Sequence, residues 1–334
     1  VLAAAEPESV YRAMSGLARP SQSNLLQPLP YDPNLSFHDP TVVYVDPDPH
    51  DVDTMHLYAR AAYPGFDDVL LAAFEAPEVD HLLNDLYQRL VIEERNVALV
   101  TNHGNIIDIA VVLAALMIAM LKDGRSYGVL GERAEIVDLV DRANVVVSRM
   151  VATRQAFDLP ALTVLRECCR IFMSIPQTHS RRKAKLDPEL VKANNLVMRD
   201  ELANRLRTGG QLLAMAASGS QDLSLAANLA QKVRSTWRHR RGHDPGEVDT
   251  LHLQPLYDGT IRLMLDAGTV IPLAISLDNS HPACEIGAIT VVRDADECHR
   301  IMEWIADAHQ RATGITTVYH RQEDALLSQV RGAM

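Results

Sequence analysis

The sequence predicts an α/β fold with a mixed, largely parallel central sheet flanked by helices and an irregular or helical N-terminal arm. Short apolar runs rich in β-branched residues recur along the chain, as is typical of strands buried on both faces. Segments with apolar residues three and four positions apart lie between these runs, which indicates amphipathic helices. Residues 1–60 are instead rich in Pro, Asp, Ser and Asn, and this composition favours turns and loops.

The elements follow from these patterns in chain order. Amphipathic helices are expected between Pro64 and Glu94, a buried helix up to about Lys122, and a closing helix in ADECHRIMEWIADAHQRATG. The clearest helix starts at the DPEL motif, where Asp187 is its cap, and ends at Gly209–Gly210. The segment HDVDTMH, from His50 to His56, lacks a metal-ligand spacing and is expected to be a solvated loop. Buried strands are expected at 96–101, 143–150, 169–176, 211–217, 269–277 and 287–292.

Length and composition limit the domain organisation and the function classes. The chain has 334 residues, of which 47% are apolar, enough for one large domain with an attachment. We expect an N-terminal arm with helices at 1–85 and one α/β domain at 86–334. The formal net charge of −11 argues against a nucleic-acid partner, because phosphate binding needs a basic face.

Cysteine usage and hydropathy predict the compartment. The four cysteines contain no CxxC pair, so we expect free thiols in a reducing cytoplasm. The longest apolar run, from Ile109 to Leu121, is shorter than the ~20 residues that span a bilayer. The first residues, VLAAAEPESVYRAMSGLARP, lack the pattern of a secretory signal. The sequence therefore predicts a cytoplasmic protein that is soluble or peripherally associated with a membrane.

The most informative stretch is LVTNHGNIIDIAVVLAALM. It places His103 directly after a predicted buried strand and Asp108 at the start of the next helix. Ligands of open α/β sheets bind at the carboxyl ends of the strands, so His103 is expected at a binding edge. A carboxylate at one ring nitrogen would leave the other free to take a proton from a hydroxyl. A structural His–Asp pair at a helix start is the alternative that spacing alone leaves open.

NHGNIID resembles the NHxxxxD motif of the glycerolipid acyltransferases. Further blocks extend the resemblance over residues 66–310, in order and with similar gaps, to the soluble plastid-type glycerol-3-phosphate 1-acyltransferases. These blocks are RRKAKLDPELVKANN, RDELANRLRTGGQLLAMAASGSQD, HLQPLYDGTIRLM and GTVIPLAISLDNS. The resemblance implies an acyltransferase of lipid metabolism that acts in phospholipid biosynthesis.

The resemblance also implies roles for the residues of the HxxxxD motif. His103 would be the base that deprotonates the acceptor hydroxyl, and Asp108 would orient it. The donor would be acyl-CoA or acyl-ACP, with no cofactor and no metal. Backbone N–H groups around Gly104 are the expected donors to the oxyanion of the tetrahedral intermediate.

For the acceptor, glycerol 3-phosphate, the resemblance implies a basic phosphate pocket that this chain keeps only in part. Two arginines of the family's second basic segment are replaced here by Gln221 and Leu223. Arginines in TWRHRRGH, at 236–243, are a candidate substitute, and an exposed basic loop is the alternative. The changed pocket also leaves open a different small alcohol as acceptor, or a catalytically silent lipid-binding relative. The substrate-binding residues implied are Arg181, Arg182, Lys183, Ser218, Gly219 and Gln221.

Overall fold

The computed structural model describes residues 43–103, 107–128, 131–148, 163–174, 188–217, 223–224, 250–278 and 280–321. Its strands form a central, mostly parallel sheet flanked by helices, together with a small three-stranded sheet. The predicted α/β class with a mixed, largely parallel central sheet is therefore confirmed. Residues 1–42 of the expected N-terminal arm lie outside the described residues. The chain divides into two compact units, one within 1–97 and 109–214, the other within 98–108 and 215–334.

In the first unit the strands lie in the order β1 (Tyr44–Val45), β4 (Arg170–Ser174), β3 (Ala143–Ser148) and β5 (Leu212–Ala216). Strand β3 is parallel to both of its neighbours, and Val145 pairs with Ile171 on one side and with Ala214 on the other. The short β1 adds an antiparallel edge to β4.

The helices of the first unit bury apolar faces. Helix α4 (Asp108–Leu121) is apolar on every side from Ile109 to Met120, and all of these residues are buried. Helix α6 (Pro188–Thr208) packs against β4. Gly209 and Gly210 follow its last residue, and their positive φ angles of 81° and 65° suit glycine. The α-helices are α1 (Val52–Ala62), α2 (Ala72–Glu75), α3 (Asp80–Tyr87), α4 (Asp108–Leu121), α5 (Ile136–Arg142) and α6 (Pro188–Thr208), with π-helical turns at Phe66–Leu71 and Gln88–Ile92 and a 3₁₀ turn at Pro77–Val79.

The second unit contains the rest of the central sheet. Strand β2 (Val97–Thr101, in this unit from Ala98) is parallel to β8 (Thr269–Ser276), and both are buried almost throughout. Strands β9 (Ala283–Ile286) and β10 (Thr290–Val291) pair with β8 antiparallel. Continuous burial explains why β2 and β8 read as uninterrupted apolar runs.

The small sheet also belongs to the second unit. Strand β7 (Thr250–Leu253) is its centre, parallel to β11 (Thr316–Tyr319) and antiparallel to β6 (Leu223–Ser224). Helix α7 (Asp258–Ala267) packs against β8, and helix α8 (Ala295–Thr313) packs against both β8 and β11.

Five of the six predicted strands are confirmed within one or two residues at each end. The sixth, expected at 287–292, is only the two-residue β10. The interpretation of HDVDTMH as a solvated loop is wrong, because helix α1 begins at Val52. Asp51 is the N-cap of α1, and its carboxylate accepts from the Thr54 N–H at 2.6 Å. This hydrogen bond lowers the pKa of Asp51. The domain boundary at 85 and 86 stays a prediction.

The segment before α1 follows an ordered path despite its loop-like composition. Asp46 accepts from the Arg170 guanidinium at 2.6 Å, and Asp48 accepts from that of Arg166 at 3.0 Å. The buried Glu167 carboxylate accepts from the His50 N–H at 2.9 Å and lies 2.8 Å from its ring Nδ1. Residues of β4 and of the helical residues 163–168 before it therefore organise this segment.

The described residues contain no helix long and apolar enough to cross a membrane. All four cysteines are free thiols, as expected, and Cys168, Cys169 and Cys298 are buried. Burial raises the pKa of Cys298 to about 11, so its thiolate is disfavoured at neutral pH.

The second unit is expected to lose stability in mild acid because of His309. Burial in α8 lowers the pKa of His309 from 6.5 to about 4. As the pH falls below 6.5, the unfolded chain takes up this proton first, so the free energy of unfolding declines until about pH 4. At 1.36 kcal/mol per pH unit the loss is about 3 kcal/mol. Urea unfolding of wild type and His309→Gln across this range measures it.

The matched control for His309→Gln is His81→Gln, since His81 is an exposed helical histidine. His81→Gln is expected to keep the wild-type acid dependence, whereas His309→Gln flattens it. An equal acid dependence in wild type and His309→Gln would contradict the prediction.

Candidate functional site

The site residues follow the carboxyl end of β2. Thr101 pairs with Leu273 of β8, and its carbonyl accepts from the Ala217 N–H at 2.9 Å. Asn102 comes next and is 1% exposed. Its side-chain amide donates to the Ile275 carbonyl and accepts from the Ile275 N–H, both at 2.8 Å. The backbone that leads into His103 is therefore fixed by contacts on both sides.

His103 and Asp108 come together as predicted. Their side chains approach to 3.8 Å between Nδ1 of His103 and Oδ2 of Asp108. This distance is that of an ion pair, longer than the 2.7–3.2 Å of an N–H···O hydrogen bond. Catalytic pairs are often loose without substrate and tighten when it binds.

The two side chains differ in their access to solvent. The His103 side chain is 20% exposed and that of Asp108 is 2% exposed. Asp108 is the first residue of α4, where the helix dipole stabilises a negative charge. The arrangement places a buried carboxylate next to a partly exposed imidazole. It can hold one tautomer of the ring and stabilise the imidazolium after proton transfer.

The threonine at the end of β2 adds a polar group to this region. Thr101 is fully buried, and its hydroxyl has no hydrogen-bond partner within the described part of the chain. A buried hydroxyl without a partner costs stability. Thr101 lies two positions before His103 in the chain.

The predicted substrate-binding residues cannot be placed. Gly104, the expected source of oxyanion donors, lies outside the described residues. Six further predicted residues also lie outside them, and these are Arg181, Arg182, Lys183, Ser218, Gly219 and Gln221. Leu223 lies in β6. Their predicted roles stay predictions.

Within the described ranges no group of three or more His, Cys, Asp or Glu side chains is placed to hold a metal ion. The expectation that the chemistry needs no metal and no cofactor stays a prediction.

Asn102 is a structural residue of this site to which the sequence pattern gave no role. Its position directly after a buried apolar strand indicates that its side-chain amide is buried and needs hydrogen-bond partners. The partner, Ile275, is 173 residues away in the chain, so only the strand pairing reveals it.

No protein-family model and no curated protein sequence matches this chain. The resemblance to glycerolipid acyltransferases therefore stays an expectation that rests on the motifs quoted above. The geometry of His103 and Asp108 is independent of that resemblance and bears on the function directly.

Proposed function

We propose that the protein is an O-acyltransferase that moves a fatty acyl group from a thioester donor to the hydroxyl of glycerol 3-phosphate. The observation that carries the proposal is the pairing of a solvent-accessible His103 with a buried Asp108 at the carboxyl end of a central strand. The donor is acyl-CoA or acyl-ACP, and the proposed role is in phospholipid biosynthesis.

The proposed reaction assigns one task to each member of the pair. The neutral imidazole of His103 takes the proton of the acceptor hydroxyl as its oxygen bonds to the thioester carbon. Asp108 orients the ring and stabilises the imidazolium. Collapse of the tetrahedral intermediate breaks the C–S bond, and the proton on His103 passes to the thiolate. The products are an ester and a free thiol, so no oxidant, reductant or metal is consumed.

Direct attack by the acceptor fits the absence of a nucleophile motif from the sequence. The chain has no GxSxG motif of a serine nucleophile elbow. The buried thiols of Cys168 and Cys169 have pKa values raised by burial, so neither is a thiolate nucleophile at neutral pH. A mechanism without an acyl-enzyme is therefore the simplest use of His103.

A different acceptor is the second candidate, and the replaced arginines favour it. A charge-assisted hydrogen bond contributes about 1.5–3 kcal/mol, so two missing arginine contacts would weaken a phosphate acceptor by at least a hundredfold. The same acyl transfer to a neutral small alcohol would need neither arginine.

Release of free thiol from acyl-CoA or acyl-ACP, measured with a panel of acceptors, tests the proposal. The panel contains glycerol 3-phosphate, glycerol, and short alcohols with and without phosphate. Thiol release that depends on glycerol 3-phosphate is expected. Release with neutral alcohols alone selects the second candidate. No release with any acceptor rejects acyl transfer and leaves a binding protein.

Replacing both Arg182 and Lys183 by alanine tests how the acceptor is bound. If they neutralise the acceptor phosphate, the KM for glycerol 3-phosphate rises about a hundredfold or more, while the KM for the donor changes little. Added salt is expected to reproduce part of the effect on the wild-type enzyme. Steady-state titration of both substrates measures it, with Arg199→Ala on the exposed face of α6 as the control. An unchanged acceptor KM at wild-type turnover rules out these two residues as the phosphate site.

A further inference from the structure

The side chain of Asn102 occupies a position in the sheet that backbone normally fills. In a parallel pair, every second residue of a strand offers both its N–H and its C=O to the neighbouring strand. Ile275 of β8 is such a residue, and the groups that meet its N–H and C=O are Oδ1 and Nδ2 of Asn102, each at 2.8 Å. The amide side chain therefore continues the β2–β8 ladder by one step after Thr101, the last residue of β2.

Because the Asn102 side chain makes these hydrogen bonds in place of backbone, the main chain can leave the sheet after Asn102. Were β2 to continue, His103 would lie within the ladder. Because the Asn102 side chain closes the ladder, His103 can depart toward Asp108 without leaving Ile275 unpaired in the core. An orphaned pair of buried backbone groups there would be costly.

We infer that Asn102 is a positioning residue for the proposed general base: its amide fixes the point from which His103 departs and so sets the contact with Asp108. This inference rests on the proposed function only for its effect on catalysis. Asn102 itself is buried and does not have to contact a substrate.

The chain offers a matched control in Asn144. This asparagine of β3 is also fully buried, and its amide donates to the Leu212 carbonyl of β5 at 3.3 Å and to the Arg142 carbonyl at 2.8 Å. Asn144 therefore also holds neighbouring backbone by side-chain hydrogen bonds, but it is not adjacent in sequence to a site residue. Asn102→Leu and Asn144→Leu each remove a buried amide that satisfies backbone, so both are expected to lower stability.

The first experiment records the imidazole resonances of the whole protein by ¹H–¹⁵N NMR. The His103 signals are identified by their loss in His103→Ala. They are expected to shift in Asn102→Leu and to stay unchanged in Asn144→Leu. Unmoved His103 signals in a folded Asn102→Leu overturn the inference. If Asn102→Leu does not fold, Asn102→Ser replaces it, because a serine side chain is too short to meet both groups of Ile275, and the same shift is expected.

The second experiment measures acyl transfer in the same variants. A misplaced catalytic group costs about a hundredfold in rate, so kcat of Asn102→Leu is expected to fall by about that factor with the KM of both substrates unchanged. Asn144→Leu is expected to keep the wild-type kcat while folded. Equal losses of kcat in both variants assign Asn102 a merely structural role. If the wild-type protein transfers no acyl group, the proposed function fails, and the NMR comparison still decides whether Asn102 positions His103.

Discussion

Replacing His103 by alanine is expected to lower the rate of acyl transfer by about 10²–10⁴-fold while the protein stays folded. The expected loss is that of general-base catalysis, because the acceptor hydroxyl is too weak a nucleophile without proton removal. The side chain is partly exposed, so its truncation removes little packing, and Asn102 continues to fix the backbone before it. Thiol release under saturating donor and acceptor measures the rate, and circular dichroism and urea unfolding check the fold.

The control for His103→Ala is His81→Ala, which truncates an exposed histidine of helix α3. That variant is expected to keep wild-type turnover. A His103→Ala protein that retains more than about a tenth of the wild-type rate would be incompatible with a general base at this position.

The strands that the sequence predicted well are those whose residues are buried on both faces. VALVT of β2 and TVIPLAIS of β8 are continuous apolar runs because the parallel ladder and the covering helices exclude water from both sides. Local composition is enough to identify such strands, and the glycines after α6 and α7 mark the helix ends because their φ angles are positive.

The elements that the sequence did not predict depend on partners far away in the chain. Strand β1 is only two residues long and exists through its antiparallel pairing with β4, and the segment after it is held by Arg170, Arg166 and Glu167. Strand β11 pairs with β7, and the partner of Thr316, Thr250, lies 66 positions earlier in the chain. No local period distinguishes such short strands from loops, because tertiary contacts decide them.

The candidate site was likewise predictable only where it depends on residues that are close together in the sequence. The His103–Asp108 pair is encoded within six consecutive residues, so the strand-to-helix junction brings the two together. The bracing of that junction was not predictable, since Asn102 reaches Ile275 and Thr101 reaches Ala217 across the sheet.

Asp108→Asn is expected to lower turnover by about three to four orders of magnitude, the loss seen when a base loses the carboxylate that sets its tautomer. The amide is nearly the same size as the carboxylate, and the side chain is 2% exposed, so the geometry of the junction should survive. An amide can donate to Nδ1 of His103 and so stabilise the tautomer whose Nε2 carries the proton and cannot accept one. The KM values of donor and acceptor should change little, because the lost interaction forms fully only in the transition state.

The matched control for Asp108→Asn is Asp258→Asn, because Asp258 is likewise the first residue of a helix, α7. If Asp108 serves only to stabilise the start of α4, both substitutions will lower the free energy of unfolding and neither will change kcat. The expected loss is about 0.3–1 kcal/mol at Asp258, which is exposed, and up to about 2 kcal/mol at Asp108, which is buried. If Asp108 orients His103, only Asp108→Asn will lose turnover. The comparison separates a purely structural role of Asp108 from a role in orienting His103. The structural role predicts an unchanged kcat for Asp108→Asn, and the orienting role predicts a lowered one.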